Sequence, residues 1–327
     1  MVFFNRREFI YLSMVGMAGV TAGVPLSADE KPKKSFVSLV KTEDRKKGIV
    51  EAVRMLDIPD MKGKKVFLKP NFNTADPAPG STHNDVLSTL VKEIKKRDAV
   101  SVTVGDRCGP GETAKVLEAK GVLNLAEDLG FNLINFEELD EKDWILINKP
   151  GTHWDGGFYM ARPLVESEYT VTTGCIKTHG FGGHFTMSMK LSVGAVHRKH
   201  MFPQLHNSPD MRKMIAEINL AYKPQLIVLD GVEIFTDGGP MEGTRKKANV
   251  IIAGTDRVAI DAVGLAVLKE QGSNSTIMGR KIFEQDQMKH AVKIGLGISG
   301  PEEIGILTRD PESKKYADRL TDILMNG

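Results

Sequence analysis

Residues 171–196, VTTGCIKTHGFGGHFTMSMKLSVGAV, decide the reading of the chain. The run up to Ile176 is β-branched and apolar and is bounded upstream by polar residues, so it reads as a buried strand. TMSMKLSVGA, after the glycines, has helix-compatible spacing. Open parallel α/β sheets bind ligands at the carboxyl ends of their strands, and Lys177, Thr178 and His179 fall at such an end. Gly180, Gly182 and Gly183 leave backbone amides open to a ligand. The following helix is expected to aim its positive end at the same place.

A glycine-rich turn between strand and helix is common, and a solitary lysine or histidine in one is usually solvated. Density argues for a site here: Lys177, His179, His184, Lys190, His197, His200 and His206 all fall between positions 177 and 206 and include five of the eight histidines. The set suits an anion or metal site with an acid/base pair. Lys177, His179 and Lys190 are the candidate catalytic residues, and Gly182, Gly183 and His184 are candidate cofactor contacts.

Upstream, FVSLVKT, EDRKKGIVEAVRMLDI and KGKKVFLKPNFN read as strand, helix and strand, a β-α-β unit. Asn71, Asn73 and Thr74 leave the second strand at its carboxyl end, to bind a ligand or to cap the turn. AVSVTVGDRCGPGETAKVLEAKG is a strand running through Gly-Asp-Arg into a helix. Asp106 there either takes a metal, orients a histidine or, with Arg107, shapes the turn. Asn71, Asn73, Asp106 and Arg107 join the cofactor candidates. DEKDWILINKPGTHWDGGFYMARPL reads as an inserted strand pair that Trp144 and Trp154 pack down, with His153 and Asp155 as turn residues.

Downstream, a helix capped by Ser208 precedes two buried strands joined by a Gly-rich loop. Asp230, Glu233, Asp237 and Glu242 gather on that connection, where carboxylates suit a hard cation, general-base work or mere solubility. Thr255 or Asp256 is a ready N-cap for TDRVAIDAVGLAVLKEQG, and Asp261, on the apolar face of that helix, needs a partner. Asp230, Asp237 and Asp256 are the candidate metal ligands. The fold class is α/β, a mostly parallel sheet with helices on both faces over residues 36–327, with two lobes as an alternative.

The chain carries 44 basic and 42 acidic residues, a net charge of +2. That balance makes no basic field of the kind nucleic-acid binding requires. The amino terminus differs: MVFFNRRE precedes the apolar FIYLSMVGMAGVTAG and VPLSA, the pattern of a twin-arginine export signal over residues 1–28, followed by a charged linker over 29–35. The apolar run, at roughly fifteen residues, is shorter than the ~20 that span a bilayer. A soluble exported protein cleaved after Ala28 is expected, with an uncleaved anchor as the alternative. Cys108 and Cys175 are the only cysteines, so a four-cysteine iron-sulfur cluster cannot be built within the chain. An oxidising compartment permits them to pair, and two buried free thiols are the expected state.

The motifs KPNFN, VTVGDR, IKTHGFGGHFTMSMKLSVGAV, LDGVEIFTDGGPMEGT and AGTDRVAIDAVG, spread in this order over residues 69–264, resemble the family of domain of unknown function 362. The resemblance implies an α/β fold and no agreed activity. Many of the relatives it implies carry a cysteine-rich, ferredoxin-like module, which makes an iron-sulfur redox subunit a candidate partner. His179, Gly182, Gly183 and Lys190 also resemble, in order, the signature of the nickel-pincer lactate racemases. A longer stretch, His184–Met189, separates the glycines from the lysine here. That likeness implies only that Lys and His around a metal or cofactor move a proton next to a carbonyl. The expectation is an exported enzyme acting on a small anionic molecule, with a divalent metal as a candidate cofactor. The alternatives are an extracytoplasmic metal- or anion-binding protein and a non-catalytic partner of a redox complex.

Overall fold

A computed structural model describes residues 34–180 and 184–327. Its strands are β1 (Ser35–Lys41), β2 (Lys65–Lys69), β3 (Ser101–Asp106), β4 (Asn132–Asn135), β5 (Trp144–Ile147), β6 (Phe158–Ala161), β7 (Tyr169–His179), β8 (His184–Thr186), β9 (Leu226–Gly238), β10 (Gly243–Lys246), β11 (Val250–Gly254) and β12 (Ile304–Leu307). The main sheet runs β12-β1-β11-β9-β7-β2-β3-β4, with β8 paired to β7 and β10 to β9. The export-signal reading, Gly182 and Gly183 lie outside the described residues, as does all of the 29–35 linker except Lys34 and Ser35. Ser35 already belongs to β1.

The middle of the sheet follows from composition. Every residue of β7 is buried, as a parallel strand covered on both faces requires. Side chains alternate along β9: Leu226 and Val228 join one core cluster with Ile49, Leu68, Val86, Leu90 and Val104, while Ile227 and Leu229 join the other with Val258, Ala262 and Leu265. The period of two in a strand therefore feeds two cores. The first is covered by the helices Arg45–Arg54 and Asn84–Lys95 and the second by Arg257–Glu270. Lys34–Gly327 clusters as one unit, so the alternative of two lobes does not hold among the described residues.

Strand order explains where a site can form. From β2 the chain moves outward through β3 and β4, then returns to place β7 on the other side of β2, with β9 beyond it. β2, β3, β7 and β9 are mutually parallel, and the order reverses between β2 and β7. Outside the carboxyl ends at such a reversal lies the crevice where open α/β sheets take their ligands. One departure from the parallel expectation is β11, antiparallel to both β1 and β9. β9, β10 and β11 form one long hairpin, with β10 along the far half of β9 and β11 along the near half, and a hairpin return is necessarily antiparallel.

Two local expectations change. Ser208 does not cap a helix; its hydroxyl accepts from the Asp210 amide, and the helix begins at Met211. The insert after β4 is the expected strand pair, β5 with β6, and both tryptophans are buried against it. Among the described residues no helix is long and apolar enough to cross a membrane.

Candidate functional site

A cavity of about 520 Å³ opens at the β2–β7 reversal. Asn71 and Asn73 enter it after β2, Asp106 from the last position of β3 and Arg107 just after it, Lys177 and His179 from β7, Thr186 from β8, and Lys190 from the short helix Ser188–Leu191. Arg198, Phe202, His206 and Met241 complete its mouth. The structure therefore brings together seven sequence-predicted residues: Lys177, His179, Lys190, Asn71, Asn73, Asp106 and Arg107.

Lys69, the last residue of β2, holds the lining residue Asp106. Its ammonium is 2.7 Å from the Asp106 carboxylate, and both side chains are almost fully buried. The second Asp106 oxygen accepts the Phe72 amide at 2.6 Å, so the carboxylate charge is matched by Lys69. Each oxygen thus already carries one partner, and no histidine stands among the described contacts of Asp106. Gly194 is packed so tightly on this pair that a Cβ there would overlap the carboxylate. Arg107 turns to main-chain carbonyls, at 2.7 Å from Cys108 and 3.3 Å from Val196, and braces the cavity wall.

Lys177 donates to the Gly80 and Pro240 carbonyls at 2.6 and 2.9 Å. An ammonium has three donors, so one stays available. Burial pushes its pKa down to about 8. Lys190 is 8% exposed, and among the described residues no carboxylate comes within ion-pair distance of it. Burial, then the Lys177 charge, push it down to about 7. Burial also lowers the pKa of His206. Two buried polar atoms, Asn73 Nδ2 and Thr186 Oγ1, have no hydrogen-bond partner among the described residues, although buried polar groups are almost always satisfied. The lining thus holds cationic side chains and unmatched polar groups, while its one carboxylate is already taken by Lys69. Chemically, it is complementary to a small anion.

The remaining candidates are elsewhere. His184 is outside the cavity, with Arg212 and Asp286 among its charged neighbours. Asp230 is buried and paired with Arg45 at 2.7 Å. Asp237 accepts from Asn274 Nδ2 at 3.1 Å. Asp256 caps Arg257–Glu270, accepting from the Val258 and Ala259 amides at 2.8 and 2.9 Å and from Ile298 at 3.0 Å. Spent on a cation, a cap and a loop contact, the three aspartates do not converge, and the proposed Asp230-Asp237-Asp256 metal set is corrected. The helix-dipole expectation also changes. The helix after the glycines is only Ser188–Leu191, and its leading amides, Ser188 and Met189, already donate to Asp261 at 2.8 and 3.1 Å. Asp261 thereby finds the partner its apolar helix face demanded, and burial pushes its pKa up to about 6. Cys108 and Cys175 are buried free thiols.

Sequence reasoning missed Thr186 as a lining residue and Lys69 as the partner of Asp106, whereas His206, part of the predicted cluster, does line the mouth. For Lys69 a signal existed: a lysine closing the apolar strand KVFLK must pair or leave the core.

The family model for domain of unknown function 362 matches residues 66–266, a span that contains every residue lining the cavity. The chain belongs to this family. The chain is 24% identical over 220 residues to a thylakoid-associated protein of Synechocystis sp., a match covering 63% of this chain and 64% of that protein's length. Among solved structures it is similar to the lactate racemase apoprotein of Thermoanaerobacterium thermosaccharolyticum, at 15% identity and a TM-score of 0.46, over 89% of this chain and 87% of the other.

Proposed function

We propose that this protein is an enzyme that takes a small organic anion into the β2–β7 cavity and moves a proton on it, with Lys190 as the base. The observation that supports this most is Lys190 itself: a buried amine lowered to about 7, lining a cavity that carries no uncommitted carboxylate. A general base is most effective when its pKa lies near the working pH. In its neutral form Lys190 accepts a proton; Lys177, still charged below about 8, holds the anionic oxygen with its remaining donor. Asn73 and Thr186 supply further hydrogen bonds to a ligand oxygen. His179, at the end of β7 and on the cavity wall, is the second proton carrier. A proton lost from carbon next to a carbonyl would leave an enolate, whose negative oxygen the lysine ammonium stabilises.

The residues at the cavity provide no cluster of carboxylates for a hard cation, so the proton transfer is assigned to the amines. The same reading keeps the paired arginines as a twin-arginine signal and the working location outside the cytoplasm. A mature amino terminus at Asp29, found by mass analysis of exported protein, supports that location; retention of the leader in the cytoplasmic fraction contradicts it.

The chemical test is exchange in D₂O. Small 2-hydroxy acids, 2-oxo acids and amino acids are incubated with the protein, and deuterium uptake is followed at C2 of the hydroxy and amino acids and at C3 of the oxo acids. Uptake that disappears in Lys190→Ala, with the fold intact, supports the reading. Tight reversible binding without exchange or other turnover replaces it with anion capture. Co-purification of a cysteine-rich subunit, with neither, favours the redox-partner alternative.

A further inference from the structure

Away from the cavity, three segments remote in sequence meet at one carboxylate. His153 lies in the loop between β5 and β6, Glu217 in the helix Met211–Ile218 and His290 in the helix Asp286–Lys293. Glu217 Oε1 is 2.6 Å from His153 Nδ1 and 2.8 Å from His290 Nε2. Its other oxygen accepts the His153 amide at 2.9 Å. None of the three lines the cavity.

We infer that His153, Glu217 and His290 form a divalent first-row metal site, with Zn²⁺ as the ion best matched. Two imidazoles and one carboxylate are a donor set that Zn²⁺ commonly takes with a fourth position left to water. The three donor atoms lie within 4.8 Å of one another. Bonds of about 2.0–2.1 Å in a tetrahedron place donors roughly 3.4 Å apart, so the two short contacts to Glu217 must open by less than about 1 Å. His153 can provide the larger of these movements, at its own 2.6 Å contact, because it stands on a loop with 31% of its side chain exposed. The rings meet at 76° with centroids 5.4 Å apart, edge to face and not stacked. Glu217 is 1% exposed, and among the described residues neither a lysine nor an arginine is within ion-pair distance of it. A buried carboxylate without a fixed cation is the group a metal ion compensates. Asp210 Oδ1 is 4.0 Å from His153 Nε2, placed to accept from that nitrogen once Nδ1 binds the ion, as outer carboxylates do for metal-bound histidine. The ion would clip the β5–β6 insert to two packed helices.

The test uses the untagged full chain, stripped with chelator and titrated with Co²⁺ in visible absorption, then with Zn²⁺ in competition. One equivalent should bind with the ligand-field bands of four-coordinate Co²⁺. His153→Ala, whose partly exposed side chain is removed without emptying the core, should weaken binding by about 100-fold or more, above the range for losing an outer partner. His290→Gln should do the same, and Lys190→Ala should leave binding unchanged. Absence of saturable binding by the wild-type chain overturns the inference, as does one-equivalent binding that survives His153→Ala.

Discussion

Replacing Lys190 by Met should stabilise the protein, and the gain should shrink as pH rises. The two side chains are of similar length, so Met fills the same space and removes only the amine. The magnitude follows from the depressed pKa. Lys190 falls from 10.5 to about 7, and each pKa unit is about 1.4 kcal/mol at 25 °C, so confining the ammonium below pH 7 costs roughly 5 kcal/mol. The sign follows from proton counts: between about 7 and 10.5 the unfolded chain holds the proton that the folded chain has lost, so wild-type stability rises with pH. Urea unfolding of the two proteins should therefore show Lys190→Met ahead by a few kcal/mol at pH 6. That lead should decline by roughly 1.4 kcal/mol per pH unit between pH 7.5 and 9.5. A variant that is less stable at every pH, with a difference independent of pH, would falsify the claim that Lys190 is an uncompensated buried cation.

Proton exchange should follow a bell-shaped pH profile, rising through about 7 as the Lys190–Lys177 pair loses its first proton and falling above about 8 as it loses the second; kcat/KM measured from pH 5.5 to 9.5 checks this. Lys69→Ala leaves the Asp106 carboxylate buried and unpaired, and a loss of about 3–5 kcal/mol is expected in denaturant unfolding; Lys69→Ala with Asp106→Asn should recover part of it. Asp256→Ala removes the cap of Arg257–Glu270 at a cost of about 1 kcal/mol, while anion affinity by calorimetry stays unchanged because the side chain is remote from the cavity.

Much of the fold was legible because it is encoded locally. The β-branched run of β7 reads as a buried strand, and Asp256, before an apolar helical pattern, stands at a capping position. The same local logic misassigned Asp256 as a metal ligand, because a carboxylate's employment depends on the amides around it. Pairings across long separations were not readable. Arg45 reaches Asp230 across 185 residues, and Glu217 draws in His153 and His290 from positions that share no spacing rule. The cavity was legible in part: Lys177, His179 and Lys190 stand where a strand end predicts a ligand. The expected help from a helix dipole failed because Asp261, far downstream, takes the same amides. The reversal of β11 was hidden because hydrophobic pattern reports burial and says nothing of direction.

The most direct measurement is the titration of Lys190 itself, by NMR of lysine labelled at Cε, assigned with Lys190→Met and run with and without a saturating 2-oxo acid such as pyruvate. In the free protein Lys190 should titrate near 7, and the bound carboxylate should move it upward. A Lys190 that titrates near 10.5, and that neither pyruvate nor inorganic phosphate shifts, would contradict an anion site built around a buried amine.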